Sequence, residues 1–177
     1  MMTEPEIVGF TVKQLAYDPD CLNAFDDPGN YLKESGPRWS EFLAANPKGD
    51  ENDVAIVLTV VGGKVVGTLR SIAIELQISN EVYRSTALRA FFLDDKWRKS
   101  GAGGMMLLRV LSSTSSAIAS GGPGVDAITL YKGVGFQELG PLSRFIYFHS
   151  TRALIHTVMK GLPGASAIAQ VVNPVAR

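Results

Sequence analysis

A chain of 177 residues suits one domain around one core, and 46% hydrophobic against 19% charged residues excludes a disordered chain. Seventeen Lys and Arg balance seventeen Asp and Glu, which excludes an overall positive field that would draw the protein to nucleic acid or an anionic membrane. The single cysteine, Cys21, excludes an internal disulfide and any multi-cysteine metal centre.

The first residues, Met1-Met2-Thr3-Glu4-Pro5-Glu6, are acidic where a secretory signal needs a basic region and then an apolar stretch, so a cytoplasmic protein is expected. Its best apolar strings, Val54 to Val61 and Ala153 to Met159, are strand-sized, which predicts no membrane span. Glu6 to Leu15, with Ile7, Val8, Phe10, Thr11 and Val12, reads as a first strand ended by Asp18-Pro19-Asp20. Between Leu22 and Ala45 the breakers Asp26-Asp27-Pro28-Gly29 and Gly36-Pro37 leave room for short helices at Tyr31 to Glu34 and Trp39 to Ala44, a flap over one end of a sheet. Asn46 to Asp53 is a polar loop.

A hairpin follows, with Val54 to Val61 as one strand, Gly62-Gly63 as its turn and Lys64 to Leu76 holding the return strand. Thr86 to Leu93 is the next strand and leads into Arg98-Lys99-Ser100-Gly101-Ala102-Gly103-Gly104. Met105, Met106, Leu107, Leu108, Val110 and Leu111 then predict an apolar helix, Ala117 to Ala119 a very short strand, and Val125 to Lys132 a second helix. Further strands are expected from about Phe136 and at Arg144 to Phe148, with Arg152 to Lys160 fitting strand or helix and assigned here as strand. The expected domain is 1–160, and the small-residue segment from Gly161 to Arg177 is a tail or arm.

A strand, a glycine-rich turn and a helix in that order make a backbone anion site. Glycines let the main chain approach a phosphate, and the helix start offers N–H groups backed by the helix dipole. Arg98 and Lys99 add charge. No Gly-Lys-Ser or Gly-Lys-Thr exists for a P-loop, and a dinucleotide fingerprint starting at Gly101 would put its third glycine at Met106. His149 and His156 lack metal-ligand spacing, and they, Trp39, Trp97 and Cys21 read as structural.

Arg98-x-x-Gly101-x-Gly103 matches the R/Q-x-x-G-x-G/A loop of the GNAT acyltransferases, and Ala127-x-x-Leu130-Tyr131-x-x-x-Gly135-Phe136 resembles their second signature, A-x-x-L-Y-x-x-x-G-F. Leu93-Asp94-Asp95-Lys96-Trp97 looks like the end of that family's central strand and its link to the loop, with Asp95 where a proline is frequent. The resemblance spans roughly Val54 to Phe148. It implies an α+β fold with a mixed, mostly antiparallel sheet of six to seven strands flanked by helices. It also implies an acyltransferase, N- or O-specific, moving an acetyl or similar group from acetyl-CoA or another acyl-CoA to an amine or hydroxyl by direct attack.

On this resemblance, Arg98, Lys99, Ser100, Gly101, Ala102, Gly103 and Gly104 bind the pyrophosphate. Phe91 and Leu93 offer backbone groups to the pantetheine arm, and Tyr131 stands at the general-acid position. Thr86 to Leu93 has no carboxylate where many members carry a glutamate, leaving Glu75 and Asp94 as candidates for the base. No metal is implied. Trp39, Asn46-Pro47 and Gly140-Pro141-Leu142-x-Arg144-Phe145 resemble, more loosely, bacterial members linked to surface polysaccharide, which implies a small-molecule or cell-surface-precursor acceptor. Gly124 stands where the family often has Asn, and with the absent glutamate this keeps a non-catalytic CoA sensor or scaffold as the rival. The apolar run Ala167 to Val172 leaves a homodimer through the tail open.

Overall fold

In a computed structural model describing residues 4–32, 37–114, 117–119 and 125–138, the first strand, β1 (Glu6–Thr11), is shorter than the residue pattern predicts. Thr11 ends it as a helix N-cap. Its hydroxyl accepts the Gln14 N–H at 3.2 Å, and the Gln14 side-chain oxygen accepts the Thr11 N–H at 2.8 Å. This reciprocal capping box satisfies two backbone donors and starts α1 (Val12–Tyr17), which turns Leu15 fully into the core.

A 3-10 turn (Cys21–Ala24) and α2 (Pro37–Ala44) form the flap. Tyr31 and Leu32 sit in a turn instead of the expected helix, because both backbone N–H groups donate to the Asp27 carboxylate, at 2.9 and 2.7 Å. Residues 33–36, where that helix would have continued, lie outside the described residues.

The hairpin is as expected, with β2 (Val54–Val61) and β3 (Lys64–Ile78) joined by Gly62-Gly63, both at positive φ. β4 (Glu81–Leu93) starts earlier than predicted, because a tight turn at Ser79-Asn80 pairs Ile78 directly with Glu81. Then come α3 (Ala102–Leu111), β5 (Ala117–Ala119) and α4 (Val125–Gly133). The sheet order is β1-β2-β3-β4-β5, antiparallel until β5, which runs parallel to β4 after the α3 crossover.

The fold is therefore α+β with a mostly antiparallel sheet, of five strands among the described residues where six to seven were expected. No strand begins at Phe136. Its N–H returns to the Tyr131 carbonyl at 3.0 Å while the Gly135 N–H bonds Lys132 at 3.1 Å, so Gly135, at φ 97, and Phe136 close the end of α4 as a Schellman cap. The strands expected at Arg144 to Phe148 and Arg152 to Lys160, the tail, Gly124, His149 and His156 lie outside the described residues.

β2 is apolar apart from the buried Thr59, and both its faces are covered. Ile56, Leu58 and Val60 pack with Leu15, Leu22 and Leu43 under the flap. Val57, with Leu69 and Leu88, packs against Met106, Leu107 and Val110 of α3 and Tyr131 of α4. Among the described residues no helix is long and apolar enough to cross a membrane.

Candidate functional site

β4 follows β3 in register as far as Arg89 opposite Arg70, and the register resumes at Phe92 opposite Thr68. Ala90 and Phe91 thus share one partner position, Leu69, which is a β-bulge. Ala90 carries it at φ 47, a left-handed conformation that an L residue adopts only where its surroundings hold it. On the other side, β5 pairs with β4 only over Thr86 to Leu88. Beyond the bulge the outer edge of β4 has no strand partner among the described residues.

That opening is the mouth of a cleft of about 960 Å³, lined by Tyr31, Phe91, Phe92, Leu93 and Asp94, by Arg98 and the glycines of the loop, and by Asp126, Ala127 and Leu130 of α4. The Asp94 N–H donates to the Val66 carbonyl at 2.8 Å, fixing the exit of β4. A 3-10 turn, Asp95–Trp97, then reverses the chain. The Ser100 hydroxyl donates to the Trp97 carbonyl at 2.7 Å and accepts the Ala102 N–H at 3.2 Å, which locks the loop onto the first turn of α3.

Gly101, at φ 85, is the N-cap of α3, and a Cβ built there would meet no atom within 4 Å, so its open side faces empty space. Gly103 and Gly104 occupy the second and third helical positions, whose N–H groups have no acceptor within the helix. Gly104 is likewise roomy, with the nearest Leu130 carbon 3.9 Å from a built Cβ. Gly103 is different: its Cβ would lie 3.0 Å from Leu130 and 3.3 Å from Phe91, so its smallness lets α3 pack beside β4 and α4.

The Arg98 guanidinium reaches Asp95 at 2.8 Å and Asp126 at 3.2 Å and donates from Nε to the Leu93 carbonyl at 3.4 Å. Its charge stands at the loop with two exposed carboxylates as present counter-ions. Lys99, Ser100 and Ala102 are not among the residues lining the cleft, whereas Lys96 is. This part of the cleft suits an anion, with backbone donors, a helix N-terminus and one guanidinium converging on it.

Tyr131 is 7% exposed and belongs to the core on the α3 side. Its ring centroid lies 6.0 Å from Phe91 and 5.1 Å from Phe136, and burial pushes its phenol above the usual tyrosine range. Tyr131 itself does not line the cleft, although its neighbour Leu130 does. Of the two carboxylates considered for the base, Glu75 pairs with Lys48 at 2.7 Å and lines no part of the cleft. Asp94 does line it.

The residue pattern gave no reason to single out Tyr31, Phe92, Lys96 or Asp126. Tyr31 donates its phenolic hydrogen to the Asp94 carboxylate, a contact between residues 63 apart in sequence. The hydrogen bond and the negative charge of Asp94 hold the phenol proton on, pushing its pKa to about 12. Tyr31 is also pinned by its backbone, through its N–H to Asp27 at 2.9 Å and its carbonyl to the Arg70 guanidinium at 3.0 Å. Among the described residues no group of three or more His, Cys, Asp or Glu is arranged to hold a metal ion.

No protein-family model matches the chain, and no curated protein matches it in sequence. Solved structures match it in fold. Glucosamine-6-phosphate N-acetyltransferase from Arabidopsis thaliana superposes with a TM-score of 0.52 at 14% identity, over 82% of this chain and 99% of the other. An aminoglycoside N-acetyltransferase in complex with CoA gives 0.53 at 12%, over 85% and 97%. A transcriptional regulator from Bacillus halodurans gives 0.51 at 13%, over 81% and 100%. With its bulged β4, its parallel β5 and a glycine loop opening α3, the chain has the fold of the GNAT acetyltransferases.

Proposed function

We propose that the protein transfers an acetyl or similar acyl group from an acyl-CoA to an acceptor amine or hydroxyl, as an N- or O-acyltransferase. The observation that carries this reading is the cleft itself, in which a bulged strand edge, without a strand partner among the described residues, runs directly to a helix start suited to an anion. An acyl-CoA needs both features. Its diphosphate suits the N–H groups of Gly103 and Gly104 with Arg98, and its amide-bearing arm suits the edge of β4 at Phe91 and Leu93.

In the reaction the acceptor's lone pair attacks the thioester carbonyl, the C–S bond breaks, and the thiolate takes a proton. Asp94 is the candidate to receive the acceptor's proton, since it lines the cleft and Glu75 does not. Tyr131 is the candidate donor to sulfur, and its raised pKa keeps that proton in place at neutral pH. Arg98 must exchange Asp95 or Asp126 for the diphosphate.

A CoA-binding module without catalysis is the second reading, favoured by the packing of Tyr131 among core residues and its absence from the cleft wall. Calorimetric titration with CoA and acetyl-CoA, followed by thiol release on a panel of amines, amino sugars and alcohols, separates the two. Binding with turnover is the expected result. No binding of either compound overturns both readings, and binding without thiol release on any acceptor favours the module.

The loop's part is tested at Gly104, because a side chain there enters the cleft without a packing clash. Gly104→Val is expected to lose CoA binding while keeping its melting temperature within about 4 °C, the shift of roughly 1 kcal/mol or less. Gly103→Val is a poorer probe. It overpacks the Leu130 and Phe91 contacts and is expected to cost about 1–3 kcal/mol of stability by itself.

A further inference from the structure

The outer edge of β4 meets the glycine loop at the carbonyl of Leu93, and the backbone fixes where that carbonyl points. A trans peptide unit sends its C=O and its N–H to opposite sides, and the Asp94 N–H donates to Val66 on β3. The Leu93 carbonyl therefore faces away from β3, onto the edge that has no strand partner beyond the bulge among the described residues. It is already occupied. Arg98 Nε donates to it at 3.4 Å.

The same guanidinium reaches in two more directions. Its Nη2 lies 2.8 Å from Asp95 on the link after β4, and its Nη1 lies 3.2 Å from Asp126, 28 residues further on in the first turn of α4. One side chain thus ties the exit of β4 to α4, and Leu93 and Asp126 both line the cleft. The ties are exposed, with the Arg98 side chain 53% and the Asp126 side chain 82% accessible, and exposed ion pairs are weak enough to be exchanged for another anion.

We propose that Arg98 is a strap that closes the edge of β4 in the ligand-free protein and that an anion at the glycine loop releases it. The cleft then selects ligands that carry a diphosphate and an amide-bearing arm together over ligands with either part alone. This rests on the acyl-CoA reading for the identity of the ligand. A diphosphate on the Gly103 and Gly104 N–H groups offers its oxygens in place of Asp95 and Asp126, and the guanidinium turns to them. Nε leaves Leu93, and the freed carbonyl accepts an N–H of the arm. An arm alone has to displace Arg98 itself, exchanging one hydrogen bond for another. By linkage each half of the ligand raises the affinity for the other by the same factor. An Arg98 that only attracts negative charge has no such effect on the uncharged arm.

ADP and pantetheine supply the two halves separately. Each is titrated into the full chain alone and with a fixed high concentration of the other, with binding read from amide chemical shifts and the Arg98 Nε–H signal followed directly. ADP is expected to move that signal and to tighten pantetheine by about fivefold, and pantetheine to tighten ADP by the same factor. Arg98→Ala is expected to weaken ADP by about tenfold, to tighten pantetheine by about threefold and to abolish the coupling. Asp126→Asn, which removes one counter-ion and keeps the guanidinium, is expected to tighten ADP by about threefold. Both side chains are exposed, so the melting temperatures of the variants should stay within about 4 °C of the wild type.

Independent binding of the two halves overturns the strap, as does an Arg98→Ala variant that holds pantetheine no tighter than the wild type. Either result leaves the acyl-CoA reading standing where CoA itself binds. Absence of CoA binding to the wild type overturns that reading, and the strap loses its ligand with it.

Discussion

Tyr31 joins the flap to the cleft through its phenol, and the chemistry of that contact has a signature in pH. Its pKa is pushed to about 12, first by the hydrogen bond to Asp94 and then by burial. A phenol whose folded pKa lies above its unfolded value of 10.0 stabilises the fold fully below that value, and the contribution is lost as pH rises toward about 12. The stability difference between wild type and Tyr31→Phe is therefore expected to be constant at neutral pH and to shrink above about 10. Tyr131 and Tyr83 also titrate late, so the direct readout is the difference in tyrosinate absorbance between wild type and Tyr31→Phe. That difference should contain one phenol ionising late, and it should ionise earlier in an Asp94→Asn background. A difference curve centred on the ordinary tyrosine value would remove the Tyr31 contact from solution.

The bulge in β4 is the element on which the cleft depends, and it is held at a strained residue. Ala90 at φ 47 carries a cost of about 1–2 kcal/mol that glycine would not. Ala90→Gly recovers this but returns part of it as unfolded-chain entropy, so its stability is expected to equal or exceed the wild type by up to about 1 kcal/mol. Ala90→Val, β-branched in the same conformation, is expected to lose more than about 1 kcal/mol. Urea midpoints measure both, and a Val variant as stable as the Gly variant would show that position 90 is extended in solution.

Neither the bulge nor its strain is legible in Arg89-Ala90-Phe91, which has the composition of a regular strand; only pairing against Leu69 shows the extra residue. Local signals fared better. The Gly62-Gly63 hairpin, the apolar stripe of α3, the short β5 and the extent of α4 could all be read from neighbours in sequence. Two further local signals were present and outweighed. Thr11-x-x-Gln14 is a capping box that ends β1, and Gly135-Phe136 is a helix stop, with Phe136 packing back on Tyr131 in the contact that often accompanies a Schellman cap. The second point also bears on the resemblance, because part of the Tyr131-to-Phe136 spacing has a purely structural reason. The Tyr31 to Asp94 contact had no such signal, since nothing near either residue marks the other.

The cleft draws on four stretches of chain, from Tyr31 to Leu130, in a protein whose formal net charge is zero. With no overall field to steer an anion, attraction of the diphosphate has to come from the loop and Arg98, acting over about one Debye length. CoA should therefore leave a local footprint. The first-turn amides of α3 lack acceptors within the helix, so they exchange readily with solvent unless something covers them. CoA is expected to slow hydrogen exchange at Gly103 and Gly104 and across the first turn of α3, with little change at Tyr31 and Leu32, whose amides already donate to Asp27. Added salt should weaken this footprint, because the ligand carries several charges. Binding of CoA that leaves exchange in the first turn of α3 unchanged would remove the loop from the diphosphate site, and with it the route by which the arm would reach the β4 edge.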